Sequence, residues 1–231
     1  MSWAILVAAG TGVRAGGSLP KQYQTLLGNP VIEYSGRALA SHPAIDGLVV
    51  VLAARDPHWP AWAELEGKPL RTAVGGAERA DSVLSGLMAL PVELGDEVDV
   101  VVHDAARPLL SHAELDALLA ADAAQGALLA TPLVDTLKRA DSDQRVATTV
   151  AREGLWRALT PQRGARSLLI RALRAVAEAG VRATDEAMAL EFIGLRPKLV
   201  PGSSDNIKIT TPADFALAEF LLQRRAAGAT S

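Results

Sequence analysis

Residues 3–23, WAILVAAGTGVRAGGSLPKQY, join a short apolar run to a loop rich in glycine. The apolar run is typical of a buried strand, and the loop after it contains four glycines, one arginine, one proline and one lysine. Residues 10–15 also fit the dinucleotide pattern G-x-G-x-x-G/A. The stretch could therefore serve NAD, ATP or another phosphate-bearing ligand.

The order of residues in this loop argues against both well-known nucleotide templates. A dinucleotide fingerprint opens a helix directly after its glycines, and Gly16, Gly17 and Pro20 prevent a helix there. A P-loop needs Gly-Lys followed by Ser or Thr, whereas Lys21 is followed by glutamine. What remains is a loop whose backbone N–H groups face an anion, with Arg14 and Lys21 as fixed positive charges. The alternative is an ordinary surface turn.

The composition limits the class of protein. The 231 residues suffice for one large domain or two small ones, and 49% apolar residues allow a buried core. The net charge of -3 argues against a general nucleic-acid or membrane-surface binder. The absence of cysteine excludes disulfides, cysteine-ligated zinc and thiol catalysis. No signal-peptide pattern and no apolar run of about 20 residues occurs, so we expect a single cytoplasmic domain without a membrane-spanning helix.

Apolar runs alternate with helical stretches along most of the chain. The predicted strands are 3–9, 48–53, 71–74, 98–103 and 127–131, and the predicted helices are 30–40, 79–90, 111–124, 166–179, 184–192 and 212–224. Pro30 and Pro212 fit the first turn of a helix, and Ser111 and Thr184 fit N-caps. This alternation predicts an α/β fold, a Rossmann-like and mostly parallel sheet with helices on both faces. Ligands of such sheets bind beyond the carboxyl ends of the strands.

Residues 132–160 interrupt the alternation, because they are polar and rich in threonine. A turn signal at residues 141–143, Asp-Ser-Asp, separates two short strand-like stretches around Lys138 and at 146–150. We predict a β-hairpin arm over about residues 132–155 that leaves the main sheet. A lone hairpin buries little surface, so we expect the arm to pack against a partner.

Two further loops follow predicted strands. Glycines 75 and 76 lead from a strand into a helix, where backbone approaches a flat ligand and Ser82 donates from the first turn. Asp104 follows a buried strand and is a natural Mg²⁺ ligand, since hard cations take oxygen ligands. Arg107 adds a charge for a second anion. The alternatives are a structural glycine link and a cap or turn role for Asp104.

Two polar segments supply further charges. DNIKIT at residues 205–210 pairs Asp205 with Lys208, and the segment at residues 152–156 begins with Arg152; each could also be a solvated surface segment. Fixed cations, backbone donors and two acids suit phosphoryl or nucleotidyl transfer, in which positioning and charge neutralisation do most of the catalysis. No G-x-S-x-G elbow and no H-x-x-x-H spacing occurs, which argues against an α/β-hydrolase and a zinc site.

Taken together, these motifs resemble a known family. AAGTGVR and PKQY, at residues 8–14 and 20–23, resemble the signature loop of nucleotidyltransferases with a glycosyltransferase-A-like fold. The motifs that narrow the match are GG at 75–76, ERADSV at 78–83, HDAARP at 103–108, DT with a lysine at 135–138, LTPQ at 159–162, TDEA at 184–187 and DNIK at 205–208. In this order the set is similar to that of the 2-C-methyl-D-erythritol 4-phosphate cytidylyltransferase family of the non-mevalonate isoprenoid pathway.

The resemblance implies a mechanism and a set of site residues. The chain would bind CTP with Mg²⁺, transfer CMP to 2-C-methyl-D-erythritol 4-phosphate, release pyrophosphate, and form a homodimer through the arm. The matching positions are Arg14, Lys21, Arg152 and Lys208 for catalysis; Ala8, Ala9, Gly10, Thr11, Gly12, Gly76, Ala77 and Ser82 for the nucleotide; Ala105, Arg107, Thr136, Thr160 and Thr184 for the substrate; and Asp104 and Asp205 for the metal. In the family, the matches of Thr136 and Arg152 reach the substrate from a partner's arm.

Three alternatives remain open at this stage. A ribitol-5-phosphate cytidylyltransferase, or another nucleotidyltransferase of the same fold, shares much of the constellation. The formal G-x-G-x-x-A match suggests a nicotinamide oxidoreductase, and a binding module without catalysis is the third. Ala77 stands where the family often has an acidic residue, so selectivity for cytosine is softer here if that side chain reads the base.

Overall fold

The computed structural model describes residues 2–10 and 19–228, which form twelve strands and six α-helices. The strands are β1 (Ser2–Val7), β2 (Thr25–Leu26), β3 (Asn29–Pro30), β4 (Ile45–Leu52), β5 (Glu64–Leu65), β6 (Lys68–Val74), β7 (Asp99–Asp104), β8 (Ala127–Pro132), β9 (Leu137–Ala140), β10 (Val146–Val150), β11 (Trp156–Ala165) and β12 (Lys198–Pro201). The helices are α1 (Val31–Ala40), α2 (Arg79–Met88), α3 (His112–Ala120), α4 (Arg166–Glu178), α5 (Glu186–Phe192) and α6 (Pro212–Gly228).

Eight of the strands form the central sheet, in the order β12-β8-β11-β7-β1-β4-β6-β5. β1 lies between β7 and β4 and is parallel to both, and β6 continues the parallel block beyond β4. β11 runs antiparallel between β7 and β8, and the short β5 is antiparallel to β6. The predicted fold class, a mostly parallel α/β sheet, is confirmed.

The apolar strands are unbroken because both faces of the sheet are covered. Along β1, Ala4 and Leu6 pack into one core cluster with α1 and α3, whereas Trp3 and Ile5 pack into a second cluster with α2, α4 and α5. Successive side chains of a strand point to opposite faces, so each needs a core of its own. The five predicted strands are all present, with ends shifted by a few residues.

β11 corrects the sequence-based interpretation of residues 132–160. The polar segment was expected to stay outside the sheet up to Thr160, but Trp156–Ala165 crosses the sheet as an internal strand. Proline is disfavoured inside a sheet because it removes a hydrogen-bond donor. Here the pairing with β8 is irregular between Ala158 and Gln162, and Pro161 lies in that gap. A cis peptide bond joins Thr160 to Pro161.

Helix starts agree with the sequence in part. Ser111 caps α3 as predicted, in a reciprocal capping box with Glu114. The cap of α5 is Asp185, whose carboxylate accepts from the N–H of Met188 at 2.8 Å, so Thr184 was wrong by one residue. Pro30 is the N-cap of α1 rather than its first helical residue.

The predicted hairpin is present between β8 and β11. β9 and β10 pair antiparallel in a two-stranded sheet of their own, and nearly all of their residues are exposed. The packing of this arm on a partner stays a prediction. Separately, none of the helices in the described ranges has the length and apolar character needed to cross a bilayer.

Candidate active site

A cleft of about 630 Å³ opens at the carboxyl ends of β1, β6 and β7. This is the edge of the sheet at which the parallel-strand rule places a ligand. The predicted site residues that line it are Ala8, Ala9, Gly10, Lys21, Gly76, Ala77, Ser82, Asp104, Ala105 and Lys208. Residues distant in sequence therefore meet around one cavity.

The start of the glycine loop is fixed by Gln22. Its side-chain amide donates to the carbonyls of Ala8 and Gly10, both at 2.8 Å, and the side chain is buried. Lys21, beside it, donates from Nζ to the carbonyl of Ile209 at 2.8 Å, which brings its charge to the cleft wall. Arg14, Thr11 and Gly12 lie outside the described residues, so their roles stay predictions.

The Gly75–Gly76 turn forms the opposite wall. A Cβ on Gly76 would lie 2.3 Å from Cβ of Asp81, and one on Gly75 would lie 2.4 Å from Cβ of Ala9. Both distances are shorter than any real contact, so only glycine lets this turn close against the loop after β1. The N–H of Gly76 donates to Oγ of Ser82 at 3.2 Å.

Asp104 lies at the floor of the cleft between two cations. Arg79 donates from Nε to Oδ1 at 3.1 Å, and Nζ of Lys208 lies 2.6 Å from Oδ2. Burial by itself would raise the pKa of Asp104, but the positive charges of Arg79 and Lys208 hold that pKa well below its usual range. Asp104 is therefore an ionised carboxylate at neutral pH.

Arg79 also binds a second buried carboxylate. Its Nη1 and Nη2 donate to Oε1 and Oε2 of Glu186 at 2.5 and 3.1 Å. Burial raises the pKa of Glu186, and the guanidinium opposes that rise. Because both oxygens accept hydrogen bonds from one guanidinium, the geometry is that of an ionised carboxylate.

Behind Asp104, a buried hydrogen-bond chain fixes its backbone. The N–H of Asp104 donates to Oγ1 of Thr160 at 3.2 Å, and Thr160 lies 2.9 Å from Nδ1 of His103. Nε2 of His103 lies 3.0 Å from the carbonyl of Arg107. Burial lowers the pKa of His103 to about 4, so the ring is neutral at physiological pH. A neutral ring that donates from Nε2 accepts the Thr160 hydroxyl at Nδ1, which completes the chain.

Arg107 connects this strand end to the segment that carries Lys208. Nη1 of Arg107 donates to the carbonyl of Asn206 at 2.7 Å. The side-chain amide of Asn206 in turn donates to the carbonyl of Thr160 at 2.9 Å. Burial lowers the pKa of Arg107. Arg107 and Thr160 do not line the cleft themselves but hold the backbone that does.

Four predicted residues lie away from the cleft lining. Asp205 forms an ion pair with Arg224 of α6, and Thr184 is exposed beside Met188. Thr136 is exposed at the base of the arm. Arg152, also exposed, donates to the carbonyl of Val134, which ties the two ends of the arm together. Their proposed roles are not tested by the fold of one chain.

Asp104 fits a nucleotide-bound magnesium ion. Among the described residues, no three His, Asp or Glu side chains are grouped closely enough to hold a metal by themselves. Mg²⁺ is usually bound by one or two carboxylates together with substrate phosphates and water, rather than by a cage of protein ligands. One ionised carboxylate at the floor of a cation-lined cleft is the donor set that such a site needs.

The sequence reasoning assigned no role to Arg79, Glu186 or Gln22. Arg79 and Glu186 stand within quoted motifs, ERADSV and TDEA, but 107 positions separate them. A charged residue at the first position of a helix that follows a glycine turn was the available signal for Arg79. Nothing in a single sequence pairs it with Glu186.

Comparison with known proteins agrees with this geometry. A sequence model of the 2-C-methyl-D-erythritol 4-phosphate cytidylyltransferase family matches residues 2–224. The chain is 54% identical over 228 residues to the protein of that name from Xanthomonas axonopodis pv. citri, covering 98% of this chain and 86% of the relative. It is 53% identical over 231 residues to the one from Xanthomonas campestris pv. campestris strain B100, with 99% and 87% covered.

Solved structures give the same result. A 4-diphosphocytidyl-2C-methyl-D-erythritol synthase superposes with a TM-score of 0.81 at 35% identity, covering 96% of this chain and 98% of that one. The cytidylyltransferase of the same substrate from Thermus thermophilus gives a TM-score of 0.75 at 28% identity, with 96% and 100% covered. The chain belongs to the 2-C-methyl-D-erythritol 4-phosphate cytidylyltransferase family, nucleotidyltransferases of isoprenoid biosynthesis.

Proposed function

We propose that this chain transfers CMP from CTP to 2-C-methyl-D-erythritol 4-phosphate at the cleft around Asp104. The observation that carries the proposal is the convergence of two glycine turns, Lys21, Arg79 and Lys208 on one buried carboxylate. Two polyanions repel each other unless cations stand between them, and this cleft supplies those cations. Membership of the family names the two substrates.

CTP would lie between the two glycine turns. The close packing of Gly75 on Ala9 leaves the backbone of residues 8–10 and 76–77 facing the cavity. Backbone N–H groups and the Ser82 hydroxyl are suitable donors for the base and the phosphates. Thr11, Gly12, Arg14 and Lys21 would hold the triphosphate, with the two charges stabilising the negative charge that develops in the transition state.

A divalent cation would be held by Asp104, and in our proposal also by Asp205. When bound, Mg²⁺ neutralises phosphate charge and favours an ionised attacking phosphate, so no dedicated general base is needed. Asp205 now pairs with Arg224, so it would have to exchange that partner to reach the cation.

The acceptor substrate would bind beside the nucleotide with help from a second copy of the chain. Ala105, Arg107, Thr160, Thr184 and Lys208 would serve from the same chain. Thr136 and Arg152 would reach over from the arm of the second copy, which accounts for a hairpin whose two faces are both exposed. The homodimer through the arm, of about residues 132–155, is part of this proposal.

The reaction is a single in-line displacement. An oxygen of the acceptor's phosphate forms a bond to the α-phosphorus of CTP while the bond from that phosphorus to the bridging oxygen of the β-phosphate breaks. Pyrophosphate leaves with that electron pair, and the product is 4-diphosphocytidyl-2-C-methyl-D-erythritol. No covalent enzyme intermediate is required, since positioning and charge neutralisation suffice for such transfers.

Pyrophosphate release tests this function directly. Purified protein is given CTP and Mg²⁺ with either 2-C-methyl-D-erythritol 4-phosphate or ribitol 5-phosphate, and the initial rates are compared. We expect a clear preference for the methylerythritol substrate. A preference for ribitol phosphate would overturn the choice of acceptor, and CTP binding without pyrophosphate release would overturn catalysis. Titration with NAD(H) should show no binding.

A further inference from the structure

Glu186 is a buried carboxylate that the proposed reaction does not use. It is the first residue of α5, its side chain is 1% exposed, and both of its oxygens accept from Arg79. Arg79 is the first residue of α2, so the pair joins the helix that follows the nucleotide turn to the helix that follows Thr184. The pair thus lies where the two substrate sides meet.

The two cations on Asp104 are held to very different degrees. Arg79 is 22% exposed and has two further hydrogen bonds to Glu186, which fix the direction of its Nε toward Oδ1. Lys208 is 40% exposed, and its Nζ contacts Oδ2 at the end of a flexible side chain. A ligand that competes for Asp104 therefore displaces Lys208 more easily than Arg79.

We propose that Glu186 is a positioning residue: acting through Arg79, it keeps Oδ1 of Asp104 occupied and leaves Oδ2 as the oxygen that exchanges Lys208 for a divalent cation. The exchange would free the ammonium of Lys208 to contact a substrate phosphate. This inference rests on the proposed function for the identity of the ligand, but its geometry depends only on the four side chains described.

Loss of the negative charge on Glu186 changes what Arg79 does. With a neutral amide opposite, the guanidinium has one charged partner left, Asp104, and can turn to bind both of its oxygens. It then competes with a cation for Oδ2. Groups that orient a metal ligand commonly change metal affinity by about 10- to 100-fold when they are mutated.

The test measures cation binding apart from turnover. Mn²⁺ is titrated into protein with saturating CTP and no acceptor, and free Mn²⁺ is followed by electron paramagnetic resonance. For Glu186→Gln we expect about 10-fold weaker Mn²⁺ binding. In the complete assay, the Mg²⁺ concentration for half-maximal rate should rise by a similar factor, while kcat at saturating Mg²⁺ falls by less than about 3-fold.

A double-mutant cycle tests whether Glu186 acts through Arg79. In an Arg79→Gln background, Glu186→Gln should change Mn²⁺ binding by less than about 2-fold, because the residue that it acts on is gone. The matched control is Asp99→Asn, which breaks the ion pair at the other end of β7 and should leave Mn²⁺ binding unchanged. Equal effects of Glu186→Gln in both backgrounds, or unchanged Mn²⁺ binding in the single variant, would overturn the proposal.

Two further arrangements keep the result decisive. If Glu186→Gln does not fold, Arg79→Lys replaces it: lysine keeps the charge but cannot span both carboxylates, so weaker Mn²⁺ binding is again expected and normal binding contradicts the proposal. If the wild-type protein releases no pyrophosphate with either acceptor, the proposed function fails. The Mn²⁺ titrations with CTP still decide the role of Glu186.

Discussion

Strand β7 carries an aspartate at each end, and the two are held differently. Asp99 accepts Nε of Arg163 on both oxygens, at 2.8 and 2.9 Å, and the hydroxyl of Ser2 at 2.8 Å. Nη1 of Arg163 continues to the carbonyls at the end of α3. At the other end, Asp104 has two cations, and one of them, Lys208, is 40% exposed.

The difference separates a structural pair from a site. At Asp99, one cation meets one carboxylate and its remaining donors are used by backbone, so nothing is left for a ligand. At Asp104, Glu186 balances Arg79, whereas Lys208 and the nearby Lys21 add positive charge at the cleft wall. Similar ion pairs therefore build the protein at one end of the strand and prepare a phosphate site at the other.

Removing a cation from the open end should have the largest effect. We expect Lys21→Ala to lower kcat/KM for pyrophosphate release by about 10³-fold, because one preorganised positive donor is lost from the triphosphate. Lys198→Ala, at the far edge of the sheet, is the charge-matched control and should keep normal turnover. A near-normal rate for Lys21→Ala with unchanged folding would mean that the loop is only structural.

Neutralising Asp104 should come next. Asp104→Asn is expected to lower the rate at a fixed Mg²⁺ concentration by about 10²-fold, since an amide is a poor ligand for a hard cation. The fold should persist, because Glu186 still balances Arg79. Rates measured over a Mg²⁺ series would show whether excess cation recovers part of the loss, and insensitivity to Mg²⁺ would argue against a metal role for this carboxylate.

The matched change at the closed end should affect stability instead. Asp99→Asn leaves Arg163, which is 16% exposed, without its charged partner, and we expect a loss of about 2 kcal/mol in the free energy of unfolding. Urea denaturation measures that loss, and turnover at 25 °C should stay within about 2-fold of wild type. A larger loss of turnover than of stability would show that the two ends of β7 are coupled.

The arm offers a test of the second copy. Arg152→Ala should raise the KM for 2-C-methyl-D-erythritol 4-phosphate by about 10-fold and leave CTP binding unchanged, because one charged contact to the acceptor is lost. Arg139→Ala removes the same charge from the exposed strand β9 and serves as the control. Equal loss of affinity for both substrates would contradict the proposed role of Arg152.

The sequence predicted the open end of β7 better than the closed one. Asp104, Lys208 and the glycine turns were identifiable because each follows a strand or forms a motif. β11 was missed because Thr160, Pro161 and Gln162 look like loop residues, although all three are buried at the centre of the sheet. The pairing of Arg79 with Glu186 was beyond reach, since burial at contacts of high sequence separation is decided by packing rather than by local pattern.

A third carboxylate, held by backbone N–H groups, sharpens the comparison and should show the smallest effect. Oδ2 of Asp214, in the first turn of α6, accepts from the N–H groups of Thr210 and Thr211, both at 2.7 Å. Its slight burial favours a higher pKa, but these hydrogen bonds outweigh it and lower the pKa of Asp214. Asp214→Asn should therefore cost about 1 kcal/mol of stability at pH 7, as for loss of a helix-capping group.

The pH dependence of that loss follows from the direction of the shift. Because the folded state binds the proton of Asp214 less readily than the unfolded chain, the stabilisation is complete above the unfolded pKa of about 4 and decreases as the pH falls below it. The difference in unfolding free energy between wild type and Asp214→Asn should be constant from about pH 8 to about pH 5 and shrink below about pH 4. A difference that grew on acidification would mean that Asp214 stabilises α6 in its protonated form, as a donor rather than as an ionised acceptor.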